Sequence, residues 1–266
     1  MGEVTDSGLP RVVAIAWGTH AQPQSGPRRG MSHETIVAKA IEIADEHGLA
    51  AVTMQRLAEA LGFTTMSLYR YVANKDELLM LMLGAESLVP EPAVPSAAPS
   101  GGPDEDWRVA LRAWTDSLRT MYAAHPWLLD VTRGPTSVLM PASVLLVDQG
   151  LHAISGLGLS DHENLSLILV VSSYVSAFAA LERDLAGQDD LAFGPEAMQE
   201  LGSVITPERL PYAAPLFLSG GYVGGPVDDD LPGVESEYDF GLDLLIEGLA
   251  ARRHRAPKGT TASKHG

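Results

Sequence analysis

Cysteine is absent from all 266 residues. A disulfide framework, a thiolate zinc site and a cysteine nucleophile are therefore excluded. The composition suits a reducing compartment. Aromatic residues are sparse, at 6%. Near the start, the longest apolar run is VVAIAW at 12–17, far too short for a membrane span or a signal segment. A Gly-rich phosphate loop, a nucleophile elbow and a His-x-x-x-His pair are also missing. No enzyme activity and no cofactor are expected. His125, His152 and the trio Asp161-His162-Glu163 are the groups that could suggest a metal. Adjacent residues on a helix point different ways, so no metal site is expected there. The chain is read as a soluble cytoplasmic protein with no membrane partner.

Positive charge is scarce too: 18 Lys and Arg face 34 Asp and Glu, a net of −16. The distribution says more than the total. Residues 1–83 hold 9 acids and 7 Lys/Arg, a net of −2. Residues 84–250 hold 25 acids and 6 Lys/Arg, a net of −19. Residues 251–266 hold 5 Lys/Arg and no acid, a net of +5. One near-neutral segment therefore precedes a strongly acidic body, which would repel DNA and keep the chain soluble. Acidic surfaces are also common in soluble proteins at large.

What is present is helical periodicity. At 45% hydrophobic, the chain can bury a sizeable core. We expect an all-α protein with a small N-terminal helix-turn-helix domain and a larger C-terminal bundle. Residues 1–31 read as an irregular arm ending in Arg28-Arg29. Such an arm either lies along phosphates or is a solvated tail. Within it, 12–17 is expected to pack on the body as a short strand or turn. Residues 32–88 form the first domain. Ser32 caps a helix to about His47, with Ile36, Val37, Ala40, Ile43 and Ala44 on one face. Thr53 caps the second helix, Thr64 or Thr65 the third, and Asn74 the fourth, with Glu77 completing a capping box. Residues 89–103, VPEPAVPSAAPSGGP, read as a linker, because five prolines and two glycines exclude a helix. Residues 104–253 form the bundle. Its first helix, 104–124, carries Trp107, Val109, Leu111, Trp114, Leu118, Met121 and Tyr122 on a broad face. Strongly apolar helices are expected over 137–157 and 160–185, a short one near 195–201, and an amphipathic one over 235–253. That last helix presents Phe240, Leu244, Leu245, Ile246 and Leu249. Residues 219–232 read as a mobile loop and 254–266 as a basic disordered tail.

The segment 53–79, TMQRLAEALGFTTMSLYRYVANKDELL, is the most informative. Ala58 lies one helical turn before Gly62, and Leu68 lies six residues after it. Ala58 is small where two helices must cross. Gly62 can take the positive φ that ends one helix and turns into the next. Leu68 would anchor the second helix, expected over 65–71, on the first. That leaves Met66, Ser67, Tyr69 and Arg70 facing solvent, where they can reach a major groove. Lys75, Arg70, Arg56 and the hydroxyls of Thr65, Ser67 and Tyr69 are suitable phosphate donors.

Together, V-T-M-Q-R-L-A-E-A-L-G-F and T-M-S-L-Y-R-Y-V-A-N-K-D-E-L resemble the tetracycline-repressor (TetR) family. The resemblance runs from Ser32 to about Leu83. Its most specific part is Leu68-Tyr69-x-x-Val72 followed by Lys75-x-x-Leu78. The C-terminal part is similar to the ligand-binding domains of tetracycline-repressor-like proteins of actinobacteria. The resemblance implies a homodimer, generally a repressor, that binds a palindromic double-stranded DNA operator. It implies DNA contacts from Thr53, Met54, Gln55 and Arg56 at the start of the second helix. From the third helix it implies Thr64, Thr65, Met66, Ser67, Tyr69, Arg70 and Tyr71, and it makes Lys75 a phosphate grip. Helical spacing puts Tyr69 outside and gives Tyr71 a mixed environment. One departure stands out: an arginine or threonine is frequent in the family where this chain has Met54 and Gln55. Gln55 can still pair with an adenine edge, but no guanine reader is assured there.

The resemblance also implies a small hydrophobic effector held in the C-terminal bundle. Aromatic and soft residues on the central helices are the candidates: Trp114, Met121, Tyr122, Trp127, Met140, Tyr174 and Phe178. Each of them could equally be ordinary core. Helix 160–185 and the last helix are expected to form a four-helix dimer interface. The alternative is a DNA-binding dimer without an effector, in which the C-terminal half serves only dimerisation.

Overall fold

The computed structural model describes residues 8–20, 31–91, 103–186, 195–219 and 234–255. The Arg28-Arg29 pair, most of the proline-rich stretch, the segment 220–233 and the tail from 256 lie outside the described residues. Every regular element among the described residues is helical. Contacts divide the chain into two units, residues 1–180 with 250–266, and residues 181–249.

The first unit opens with α1 (Arg11–Ala16). The expectation of a strand or turn over 12–17 is corrected here. Pro10 supplies the helix start, and Val13, Ala14 and Ile15 are buried. Three consecutive apolar residues do not reveal a period, so the packing partner decides between helix and strand. That partner is α5 (Lys75–Leu83). The Arg11 guanidinium pairs with the Glu77 carboxylate and donates to the Tyr71 carbonyl at 3.3 Å.

Capped helices build the N-terminal head. The first, α2 (His33–His47), is closed by Ser32, whose Oγ accepts the Thr35 N–H at 3.1 Å. The Thr35 hydroxyl in turn accepts the Ser32 N–H at 3.2 Å, completing a capping box with threonine in place of glutamate. Ile36, Val37, Ala40, Ile43 and Ala44 are buried as their spacing predicts, and Ile41 joins them. Gly48, at φ 76°, ends the helix. Next come α3 (Met54–Leu61) and α4 (Thr65–Leu68), both packed within the head.

The rest of the first unit is α6 (Pro103–Ala124), α7 (Pro141–Ile154) and most of α8 (Asp161–Leu185). Trp107, Leu111, Trp114, Leu118, Met121 and Tyr122 are buried along α6. Val109, expected on the same face, is exposed, because it sits two residues from both Trp107 and Leu111 and so turns away from them. The single helix expected over 137–157 is broken. A 3-10 turn (Pro135–Leu139) precedes Pro141, whose ring fixes its own φ and pushes Met140 into an extended conformation.

Several side chains hold head and body together inside this unit. The Asp45 carboxylate on α2 accepts from Trp127 Nε1 at 2.7 Å, and the same oxygen lies 2.8 Å from His125 Nδ1. Trp17 Nε1 donates to the Leu139 carbonyl at 2.8 Å. The Gly84 carbonyl accepts the Ala142 N–H at 3.3 Å. Gly84 leaves room for the buried Met140 side chain, whose Cε would lie 2.4 Å from a β-carbon there.

The second unit contains α9 (Pro195–Val204), α10 (Ala213–Leu218) and most of α11 (Val234–Arg255). The buried stripe of α11 is Tyr238, Leu242 and Ile246. Phe240 and Leu244, two of the apolar residues expected on this helix, are exposed. Tyr238 wins the inward position, and at helical spacing it carries Leu242 and Ile246 with it.

Of the trio Asp161-His162-Glu163, Glu163 serves the start of α8, and no group of three potential metal ligands occurs among the described residues. Glu163 Oε2 accepts from the Ser160 N–H at 3.1 Å and the Ser160 hydroxyl at 2.8 Å, and its Oε1 accepts from Arg252 at 2.7 Å. Hydrogen bonds from the Ser160 backbone, then from Arg252 and the Ser160 hydroxyl, lower the Glu163 pKa from 4.5 to about 2. A depressed carboxylate stabilises the folded state above its unfolded pKa. That contribution is lost as pH falls from 4.5 towards about 2. Glu163→Gln should therefore melt below wild type at neutral pH, with the gap closing across that acid window. A gap that stays constant with pH would contradict the assignment.

Candidate nucleic-acid interface and effector cavity

The recognition segment depends on its caps. Thr53 Oγ1 accepts the Arg56 N–H at 3.1 Å and starts α3. Gly62, at φ 72°, ends α3 in the left-handed region. The Phe63 N–H then folds back onto the Ala58 carbonyl at 2.9 Å. Thr64 Oγ1 accepts the Ser67 N–H at 3.3 Å, and the two hydroxyls lie 2.9 Å apart. So Thr64, not Thr65, is the cap. Ala58 and Leu68 are buried, as the turn geometry requires.

The helix expected over 65–71 is shorter than its spacing suggests. It ends at Leu68, and residues 69–71 form a tight turn with the Tyr71 N–H on the Leu68 carbonyl at 2.8 Å. Val72, just past the turn, is fully buried like Leu68 four residues before it. Asn74 Oδ1 caps α5 by accepting the Glu77 N–H at 2.9 Å. The expected reciprocal half of that capping box is not made with Asn74. Glu77 instead accepts the Ala73 N–H at 2.6 Å and pairs with Arg11.

The outward surface of the head carries Thr53, Gln55, Arg56, Thr64, Met66, Tyr69, Arg70 and Lys75, all exposed. Met66 is 75% exposed and Tyr69 45%, so Tyr69 lies outside as its position predicts. Met54, Thr65, Ser67 and Tyr71 are half-buried. Tyr71 is tied to α2: its ring meets His33 edge-on at 5.7 Å, and its carbonyl lies 3.0 Å from His33 Nε2. Gln55 Nε2 donates to Glu59 Oε1 at 3.0 Å. Its amide would have to leave that bond to read a base edge.

Below the head, a cavity of about 460 Å³ opens within the first unit. Trp114, Met121 and Tyr122 line it, as do Leu83 and Leu88 at the end of the head. The other aromatic and soft candidates lie elsewhere. Trp127 is held by Asp45. Met140 is fully buried against Gly84. Tyr174 and Phe178 lie tilted against each other with centroids 4.8 Å apart. Composition made these residues candidates, but none of the four borders this cavity. Arg133 does line it, and no periodicity marks that residue because it lies between helices.

A family model described as "Bacterial regulatory proteins, tetR family" matches residues 36–81. Another, "Tetracyclin repressor-like, C-terminal domain", matches residues 99–253. The HTH-type transcriptional repressor DrrR1 of Streptomyces coeruleorubidus is 32% identical over 255 residues, 93% of this chain and 88% of that protein. The solved structure of ActR from Streptomyces coelicolor in complex with actinorhodin is also similar. Its TM-score is 0.59 at 25% identity, covering 86% of this chain and 99% of that one. ActR in complex with (S)-DNPA gives a TM-score of 0.58 at 26% identity, over 84% and 98%. The chain belongs to the tetR family of bacterial regulatory proteins. It is a DNA-binding transcription regulator, not an enzyme.

Gly150 on α7 controls one wall of the cavity. A β-carbon there would lie 2.6 Å from Ile168 Cδ1 and 2.7 Å from Trp114 Cζ2. The indole is pinned by its bond to the Leu146 carbonyl at 3.2 Å. On an exposed helix, Gly→Ala stabilises by about 1 kcal/mol. Here overpacking should outweigh that, costing about 1–3 kcal/mol. Gly150→Ala is expected to lower the urea midpoint; a higher midpoint would refute the close packing.

Proposed function

We propose that this chain is a dimeric repressor that binds a palindromic operator and is released from it by a small, mainly apolar effector. The carrying observation is the shared wall. Leu83 ends α5 and lines the cavity, while Lys75 opens the same helix on the DNA-facing surface. A molecule that occupies the cavity therefore presses on the far end of the element carrying a phosphate donor. It can shift DNA affinity only if it binds the released arrangement better than the DNA-competent one. A volume of about 460 Å³ suits a small ligand. ActR, similar to this chain over most of its length, is known in complex with actinorhodin and with (S)-DNPA.

The DNA contacts are Thr53, Met54, Gln55 and Arg56 with Thr64, Thr65, Met66, Ser67, Tyr69, Arg70, Tyr71 and Lys75. Thr53 and Thr64 have a second task, since both cap helices. A second copy covers the exposed Leu165, Leu169 and Val170 of α8. By length and composition α8 could also cross a membrane. Its buried stripe of Leu167, Ile168, Val171 and Val175 favours a packed helix with a second apolar face. Phe240 and Leu244 on α11 are exposed candidates for the same kind of contact. The protein acts in the cytoplasm, where its operator lies.

The reading is tested by gel shift with the intergenic DNA upstream of its gene. A salt-sensitive complex is expected, and its absence would count against the reading. Tyr69→Ala and Lys75→Ala should each cut affinity sharply at an unchanged melting temperature, with Lys75→Ala lowering the salt slope by about 1. Wild-type affinity in either variant would sink the contact assignment. Light scattering should report a dimer at micromolar concentration, and a stable monomer would contradict it. The second reading, a dimer without an effector, gains if a broad screen of hydrophobic metabolites neither weakens operator binding nor raises the melting temperature.

A further inference from the structure

Arg11 reaches the recognition turn from a distant part of the chain. It opens α1, 60 residues before Tyr71 and outside the stretch that the helix-turn-helix family model covers. One Nη of its guanidinium pairs with Glu77 Oε1, and the other donates to the Tyr71 carbonyl at 3.3 Å. The second oxygen of Glu77 accepts the Ala73 N–H at 2.6 Å. Two peptide groups are therefore held at once, one on each side of Val72. Burial of Val13, Ala14 and Ile15 fixes the helix that brings the guanidinium there. The pair is itself largely buried, with 21% of the Arg11 side chain and 9% of the Glu77 side chain exposed.

Peptide groups are planar, so the backbone at Val72 has two soft dihedrals. Holding the Tyr71 carbonyl restrains φ of Val72, and holding the Ala73 N–H restrains ψ. The restrained residue stands between two groups of proposed DNA contacts. Tyr69 and Arg70 precede it, and Lys75 follows at the start of α5. A largely buried ion pair gives little net stability, because desolvation offsets the attraction. What the flat guanidinium fork supplies is geometry, through charge-assisted hydrogen bonds of fixed direction. His33 Nε2, on α2, lies 3.0 Å from the same Tyr71 carbonyl and gives it a second hold.

We propose that Arg11 is a positioning residue for DNA recognition: with Glu77 it clamps the two peptide groups that flank Val72, and so sets where Tyr69 and Arg70 stand relative to Lys75. The inference rests on the reading of those three residues as DNA contacts. It adds a residue that touches no DNA and lies outside the helix-turn-helix. With the clamp closed, the turn is ordered before DNA arrives, and little backbone freedom is lost on binding. With the clamp open, only part of the population presents the matching turn, and the apparent affinity falls by that fraction.

Full-length wild type is compared with Arg11→Met and with the double variant Arg11→Met, Glu77→Gln. The double variant leaves no buried carboxylate without its cation, so it serves if the single one does not fold. Without DNA, amide hydrogen exchange over residues 69–74 should quicken about tenfold in the variants, and by more than over residues 110–122 of α6. A rise by the same factor at both places would make the pair a stability element only and overturn the inference. Affinity for the intergenic DNA upstream of the gene is then measured where each variant is fully folded. It should fall about tenfold, the hold from His33 limiting the loss. The slope of log affinity against log salt should stay at the wild-type value, since a positioning residue neutralises no phosphate. A slope reduced by about 1 would make Arg11 a phosphate contact, and unchanged affinity would leave the turn independent of the clamp; either result overturns the inference. Arg11→Lys keeps the charge without the fork and should recover the melting temperature but only part of the affinity. If the wild type leaves that DNA unbound, the operator reading fails, and the exchange comparison alone decides for or against the clamp.

Discussion

A helix of four residues cannot hold itself together in water, because a single turn fixes many dihedrals for little hydrogen bonding. Yet α4, Thr65–Leu68, lies at the centre of the surface proposed to face DNA. Its geometry is imposed from beneath by Leu68 and Val72, both fully buried, and from its start by Thr64. Everything that projects outward there depends on those inward contacts: Met66 and Tyr69 are displayed because their neighbours are anchored. Ala58 makes the crossing close, and Gly62 makes the turn possible.

The head is joined to the body through a small number of specific contacts. Asp45 holds Trp127 and His125, Trp17 reaches the Leu139 carbonyl, and Gly84 admits Met140. The residues contacted by Trp17 and Gly84 adjoin Val138 and Ala142, which line the cavity. Cavity and proposed DNA surface are thus connected through packed, hydrogen-bonded elements, with α5 the most direct route. The short α1 takes part at both ends. Arg11 meets Glu77 and Tyr71 beside the recognition turn, and Trp17, just past its end, ties to the body. It lies before the stretch that the helix-turn-helix family model covers.

Charge and polarity follow the same division. Acid is concentrated over 84–250, away from the helix-turn-helix segment. A near-neutral head can approach DNA with directional hydroxyls and a few cations, while the acidic remainder discourages unspecific contact. Inside the cavity wall the balance is reversed, with one cation set in an apolar surround. Glu163 shows how easily a cluster can mislead: beside His162 it suggests a metal, whereas its hydrogen bonds make it a helix cap.

The sequence by itself determined the helical class, the tetR-family head and the caps Ser32, Thr53 and Asn74. Caps and the Gly62 turn are local chemistry, legible because each residue acts on a backbone group three or four positions away. Tyr69 as an outward residue followed from the burial of Leu68 at helical spacing. The tertiary structure decided what depends on partners distant in the chain. It turned residues 11–16 into a helix, because α5 supplies their packing surface. It broke the 137–157 helix at Pro141 and faced Tyr238 inward in place of Phe240. It separated Trp114, Met121 and Tyr122, which reach the cavity, from Trp127, Met140, Tyr174 and Phe178, which do not. It also brought Arg133 to the rim beside Tyr122. Composition can mark an aromatic residue as useful, but only the folded chain establishes which side chains border the same empty space.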